Sequence, residues 1–170
     1  MTARNQTAGA RKTGGDWVWA HVGFGWWSLL AFLTLGLGLE ALHGLGAAWY
    51  LDVANGTRRQ MWTLAHAHGT LLSLISIFYG VAAASVSGPE AIAGLATGAR
   101  YLRAANLFLP LGFFTGGVYF HDGDPGLGII LVPIGAGALL LGVLFAARTA
   151  STKPVPKARK RGGKKRSSKH

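Results

Sequence analysis

The chain has 170 residues, 50% of them hydrophobic and 14% charged, with 17 Lys and Arg against 6 Asp and Glu and a formal charge of +11. Its length argues for one domain, and so high an apolar share excludes an ordinary soluble one. There is no cysteine, which excludes disulfides, thiolate metal sites, iron–sulfur clusters and a cysteine nucleophile.

The charge is unevenly placed. Residues 1–148 hold eight basic and six acidic side chains, a net +2, and residues 149–170 hold nine Lys and Arg and no acid, a net +9. The segment 1–16, with Arg4, Arg11 and Lys12, reads as a flexible lead-in. A transmembrane domain is expected over 17–148, and a disordered polybasic tail over 149–170 that lacks the apolar periodicity a core needs.

Four stretches of the middle region are free of Asp, Glu, Lys and Arg: 17–39, 60–89, 104–121 and 125–147. A helix crossing the hydrocarbon core needs about 20 apolar residues. The expected spans are therefore 23–47, 60–86, 100–120 and 126–147. Trp17, Trp19, Trp26, Trp27, Trp49, Tyr50, Trp62, Tyr101 and Tyr119 lie near their ends, as interfacial aromatics do. The first run is too long for a cleavable signal peptide and has no small-residue cleavage site after it. The fold class is all-α: a polytopic membrane protein, an up-down bundle of four transmembrane helices with a basic C-terminal tail.

Orientation follows from the distribution of Lys and Arg. Four crossings put both basic termini on one side, together with the loop region holding Glu90, Arg100 and Arg103. The loop His121-Asp122-Gly123-Asp124-Pro125 is acidic and falls opposite. Both termini are expected in the cytoplasm of a bacterial inner membrane. Gly112 and Gly116 form a small-xxx-small pattern, and Gly36, Gly38, Gly135 and Gly137 would likewise let backbones approach. Pro110 and Pro133 interrupt spans 3 and 4 and each free a carbonyl.

Ionisable residues inside a membrane mark a functional site by default. Here they are Glu40, His43, His66 and His68, with His121 and Asp122 at the outer end of span 3; His21 lies at the inner end of span 1. Glu40 and His43 are three apart and share a helix face, continued backwards by Gly36, Phe32, Ser28 and Gly25. On span 2, Thr63, His66, Thr70 and Ser73 form a polar stripe expected to face inward. His68 lies about 200° from His66 around the helix, among leucines, so the two cannot serve one ion from a regular helix.

Three chemistries fit this set. A transition metal (Cu, Zn or Fe) would take Glu40, His43 and His66, with His121 or Asp122 completing the ligands. A b-type haem would take axial ligands from His43, His66 and His68. Both would serve redox or respiratory chemistry. A membrane Glu beside His also suits proton relay. A carboxylate-bridged di-iron centre is excluded because the chain has only two Glu, one of them in a loop. The run His66-Ala67-His68-Gly69 resembles the paired histidines of haem–copper oxidase helices, over those four residues alone. The alternative expectation is an accessory or scaffold subunit whose buried His and Glu only fix helix packing, with His121 to Pro125 no more than a polar turn.

Expected partners are the bilayer, other membrane proteins and, through the basic residues from Lys153 to Lys169, anionic lipid head groups. Nucleic acid is disfavoured, because the tail lacks aromatic interleaving and any base-reading fold. Nucleophile elbows and phosphate-binding loops are absent.

Overall fold

The computed structural model describes residues 3–53 and 56–151, with side chains from residue 16 onward. The basic tail and most of the lead-in side chains lie outside this set. The described chain is helical: α1 Ala3–Gly44, α2 Ala48–Leu51, α3 Gly56–Ala83, α4 Pro89–Val118, a 3-10 turn Leu127–Ile130 and α5 Leu131–Ser151. The segment read from sequence as a flexible lead-in enters the structure as the first turns of α1. Extending an existing helix adds one hydrogen bond per residue fixed, without the cost of a new nucleus.

Three helices are long and apolar enough to cross a membrane: Asp16–Gly44, Gly56–Ala83 and Leu127–Ser151. They mark the chain as a membrane protein. The expected third span, 100–120, is not among them, because even the last 18 residues of α4 include Arg103, Asn106 and Pro110, which lower their hydropathy.

Sharp breaks separate the long helices. Gly46, at φ 66°, ends α1: its amide reaches the His43 carbonyl at 3.1 Å and that of Ala47 reaches Leu42 at 3.0 Å. This is a Schellman closure, which requires the left-handed conformation glycine adopts at no steric cost. Gly88 and Pro89 start α4, proline being tolerated where no helical N–H is yet needed. At the opposite end, Asp122 and Gly123 have φ 49° and 88°, and His121 and Asp124 exchange backbone hydrogen bonds of 3.1 and 2.9 Å. Two consecutive positive φ values make a type I′ turn, for which Asp-Gly is a preferred pair.

Neighbouring helices are antiparallel. Gly25 meets Ile77 while Gly36 meets His66; Tyr79 meets Gly98 while Trp62 meets Gly117; Leu102 meets Gly142 while Leu109 meets Gly135. The near end of the molecule therefore carries the start of α1 and the end of α5, and the far end carries the Asp122-Gly123 turn. Gly112 and Gly135 lie at the α4–α5 contact, as their spacing suggested.

The expected up-down bundle of four spans is reached only in part. The helices pack as an open row, α1 on α3, α3 on α4 and α4 on α5, with slight contact between α1 and α4. Among the described residues α5 packs on neither α1 nor α3. Only Gly135 and Gly142 of α5 are fully buried. The physical reason lies in composition: α4 has small residues on two faces and takes a neighbour on each, whereas α5 brings large side chains to every face except its glycine seam.

Candidate functional site

The six residues expected to hold a cofactor all fall in the far half of the molecule, but they do not meet. Glu40 and His43 are exposed. Neither side chain forms a hydrogen bond or ion pair among the described residues. His121 and Asp122 sit on the turn, 94% and 87% exposed, with a 3.3 Å contact to each other. Among the described residues no group of three His, Asp or Glu is placed to hold a metal ion.

Helix geometry explains the separation. Val18, Val22, Gly25, Leu29 and Leu39 are buried on α1. With Phe32 and Gly36 they advance by alternating steps of four and three, the 3.5-residue seam of a helix meeting a neighbour on one side. Leu39 is on that seam. Glu40, one residue on, is turned about 100° away from it.

His66 and His68 are half-buried and each is tied to a backbone carbonyl. His66 Nδ1 lies 2.8 Å from the Phe32 carbonyl of α1, and His68 Nδ1 lies 2.9 Å from Leu64, one turn back on its own helix. A carbonyl only accepts, so Nδ1 donates in both, and each Nε2 is left as the lone-pair nitrogen. The His66 ring fits because residue 36 is glycine: a Cβ there would collide with the imidazole. His68 turns the other way, its ring 4.9 Å from that of Phe113 on α4.

The polar groups that do converge are elsewhere. In the middle of the row, Ser73 is fully buried. Its hydroxyl donates to the Gly69 carbonyl at 2.6 Å, meets the Ser28 hydroxyl at 2.9 Å and accepts from Asn106 Nδ2 at 3.4 Å. The chain links α1, α3 and α4. Asn106 is also fully buried, and its Oδ1 has no partner. An orphaned acceptor of this kind costs roughly 1–3 kcal/mol.

Nearer the termini, His21 is fully buried and its Nδ1 accepts from Arg103 Nε at 3.0 Å across α1 and α4. Acceptance at Nδ1 places the ring proton on Nε2, which is buried without a partner. Phe24 and Tyr79 pack on the ring, Arg103 lies over Phe24 at 5.7 Å, and the Tyr79 hydroxyl donates to Leu95 at 2.8 Å. Among the described residues no carboxylate comes within ion-pair distance of Arg103, so a neutral histidine and aromatic faces solvate this half-buried cation.

At the far end Arg58 does comparable work. Its Nε donates to the Gly117 carbonyl at 3.3 Å, in the last turn of α4, and its guanidinium lies over Trp49, Trp62 and Phe120 at 5.7, 5.9 and 5.0 Å. A cation at a helix C-terminus is favoured by the dipole. Trp62 stacks on Phe114 at 5.3 Å and donates to its carbonyl at 3.1 Å.

No protein-family model, no curated protein and no solved structure matches the chain. Function must be read from these contacts. Asn106 was legible in one respect: it stands four residues before Pro110, the one position whose helical carbonyl a proline leaves unbonded. The pairing of His21 with Arg103 left no local signal, the two being 82 residues apart.

Proposed function

We propose that the chain crosses the bilayer four times, with both termini on the cytoplasmic side of a bacterial inner membrane, and serves as a non-catalytic accessory subunit of a larger membrane complex. The observation that carries this reading is the open row. α1 and α5 each pack closely on a single neighbour, so each keeps a long flank for a partner. On α1 that flank includes Glu40, roughly 6 Å short of the helix end at about 1.5 Å per residue. Lipid tails offer a carboxylate no hydrogen bond, whereas a second protein does. The inward polar groups support the same reading: Ser28, Ser73 and Asn106, and likewise His66 and Phe32, serve helix–helix contact.

Crossing by α4 is supported by its place. It runs antiparallel between α3 and α5, with 30 residues against their 28 and 21. Arg100 and Arg103 lie toward the near end, where long side chains reach the interface. The basic tail from Lys153 to Lys169 then lies against anionic head groups, worth about 1 kcal/mol per Lys or Arg near the surface.

Two experiments test the proposal. The cysteine-free chain is a clean background for single-cysteine labelling. Glu90→Cys and Gly123→Cys should be labelled from opposite sides of sealed vesicles, and labelling from one side would reject four crossings. A photo-crosslinking side chain at position 40 should then capture one discrete polypeptide in native membranes, while one at Phe78, on the outward face of α3, captures lipid. Lipid adducts alone from position 40 would sink the accessory reading.

A second reading has its own support. His66 and His68 each carry Nδ1 on a carbonyl and Nε2 free, the arrangement in which histidines ligate metals and haem. With a histidine from a partner subunit, either would hold a b-type haem or a Cu, Zn or Fe ion. A Soret band or stoichiometric metal in the purified protein supports this reading, and a colourless, metal-free, folded preparation removes it.

A further inference from the structure

Between α1 and α4, midway along the row, lies a half-open cleft of about 290 Å³. Its walls are apolar, with the rings of Phe32 and Phe114 and the exposed side chains of Ala31 and Leu111 among them. One lining residue is polar: Asn106, fully buried. Its amide nitrogen is occupied by Ser73, and Ser73 is held in turn by Gly69 and Ser28, so the orientation of the amide is set from behind. Its Oδ1 remains without a donor. Pro110, one turn on, lines the cleft beside it. An apolar cleft thus contains one buried oxygen acceptor and no free donor to complement it.

We infer that this cleft binds a membrane-soluble amphiphile with a ring-sized, hydroxyl-bearing head, such as a phenol or quinol, whose hydroxyl donates to Asn106. The inference rests on the membrane reading above, since the mouth then opens sideways into the lipid phase. Size agrees: a dry cavity of about 150 Å³ holds one benzene, and this cleft has room for a substituted ring whose tail remains among the lipids. Polarity agrees as well. A plain acyl chain would fill the volume and leave the Asn106 oxygen orphaned, and a quinone or ether would bring a second acceptor. Only a donor satisfies the site.

The test uses the full chain in detergent micelles with three probes: 4-decylphenol, its methyl ether 4-decylanisole, and 1-decanol. The sequence has three asparagines, Asn5, Asn55 and Asn106, so selective nitrogen-15 labelling resolves the Asn106 side-chain amide directly. The phenol should shift that signal saturably and bind about 5- to 10-fold more tightly than the ether, the worth of one hydrogen bond. In Asn106→Leu the preference should vanish. Ala31→Trp fills the cleft from its rim without touching the Asn106–Ser73 chain, and should abolish phenol binding while the other amide signals stay in place. Equal affinity for phenol and ether, a preference that survives in Asn106→Leu, or phenol binding retained in Ala31→Trp would each overturn the proposal. Decanol binding as tight as the phenol would overturn the ring-sized head. None of these outcomes depends on a partner subunit, so this inference and the accessory reading fail separately.

Discussion

His21 and Arg103 show how a single contact decides the fate of a cation inside a helix row. Arg103 is half-buried and has the neutral His21 ring as its hydrogen-bond acceptor, where a carboxylate would be the usual choice. Removing one partner of such a pair costs more than removing both, because the surviving group keeps its burial without its bond. His21→Leu should therefore lower stability by about 2–3 kcal/mol, and adding Arg103→Leu should restore part of the loss. Thermal unfolding in detergent of the two single variants and the double variant checks this; a double variant worse than either single one would refute the pairing. Gly36 makes a second residue-scale case. Any side chain there meets the His66 ring, so Gly36→Val should cost about 1–3 kcal/mol and break the bond from His66 to the Phe32 carbonyl. Nuclear magnetic resonance of the His66 ring nitrogens would report that break independently of stability.

At the scale of the element, α1 teaches the difference between a stripe and a seam. Counting back from Glu40 in steps of four gives Gly36, Phe32 and Ser28, which reads as one inward face. The face that meets α3 instead alternates steps of four and three, and the two patterns agree through Phe32 and Gly36 before parting at the next turn. Leu39 is buried there and Glu40 is not. Leu39→Ala should cost about 1–3 kcal/mol and Glu40→Ala less than about 0.5 kcal/mol in the isolated protein, as its unfolding in detergent would show. The reverse order would place Glu40 inside. Alpha4 differs because it has a neighbour on either side. Many of its buried residues come in adjacent pairs, Gly98 with Ala99, Ala105 with Asn106 and Leu109 with Pro110, and Gly98 meets both Tyr79 of α3 and Phe145 of α5.

For the whole molecule, the open row concentrates stability in α3 and α4 and leaves the outer flanks of α1 and α5 exposed. The lid over the far end is aromatic and cationic: Tyr50, Trp62 and Phe114 stack, Trp49 meets Tyr50 and Trp62 edge-on, Arg58 lies over Trp49 and Trp62, and Thr57 donates to the Gly123 carbonyl at 2.6 Å, tying α3 to the Asp122-Gly123 turn. The residues after Ser151 bring most of the +11 charge. A chain ending at Ser151 should keep its helicity and its thermal midpoint within about 2 °C. It should also lose the salt-sensitive attraction of the full chain's tail to anionic lipid. A large fall in the midpoint would mean that the tail packs on the helices.

The sequence by itself determined the elements. Long charge-free runs specify helices, three of them apolar enough to cross a membrane, glycine and proline specify where those helices stop, and Asp122-Gly123 specifies a type I′ turn, because each of these depends on forces acting within a few residues. Only the tertiary structure decided which side chains meet. The depth of Glu40, His43, His66 and His68 along their helices could be read by counting; whether they converged depended on the rotation of each helix about its axis. That rotation is set by how many neighbours a helix has and by where a glycine lets one come close. The same rule made two pairs, Asn106 with Ser73 and His21 with Arg103: each joins residues of different helices, with no local pattern to announce it, because a buried polar group must find its partner wherever the packing brings one.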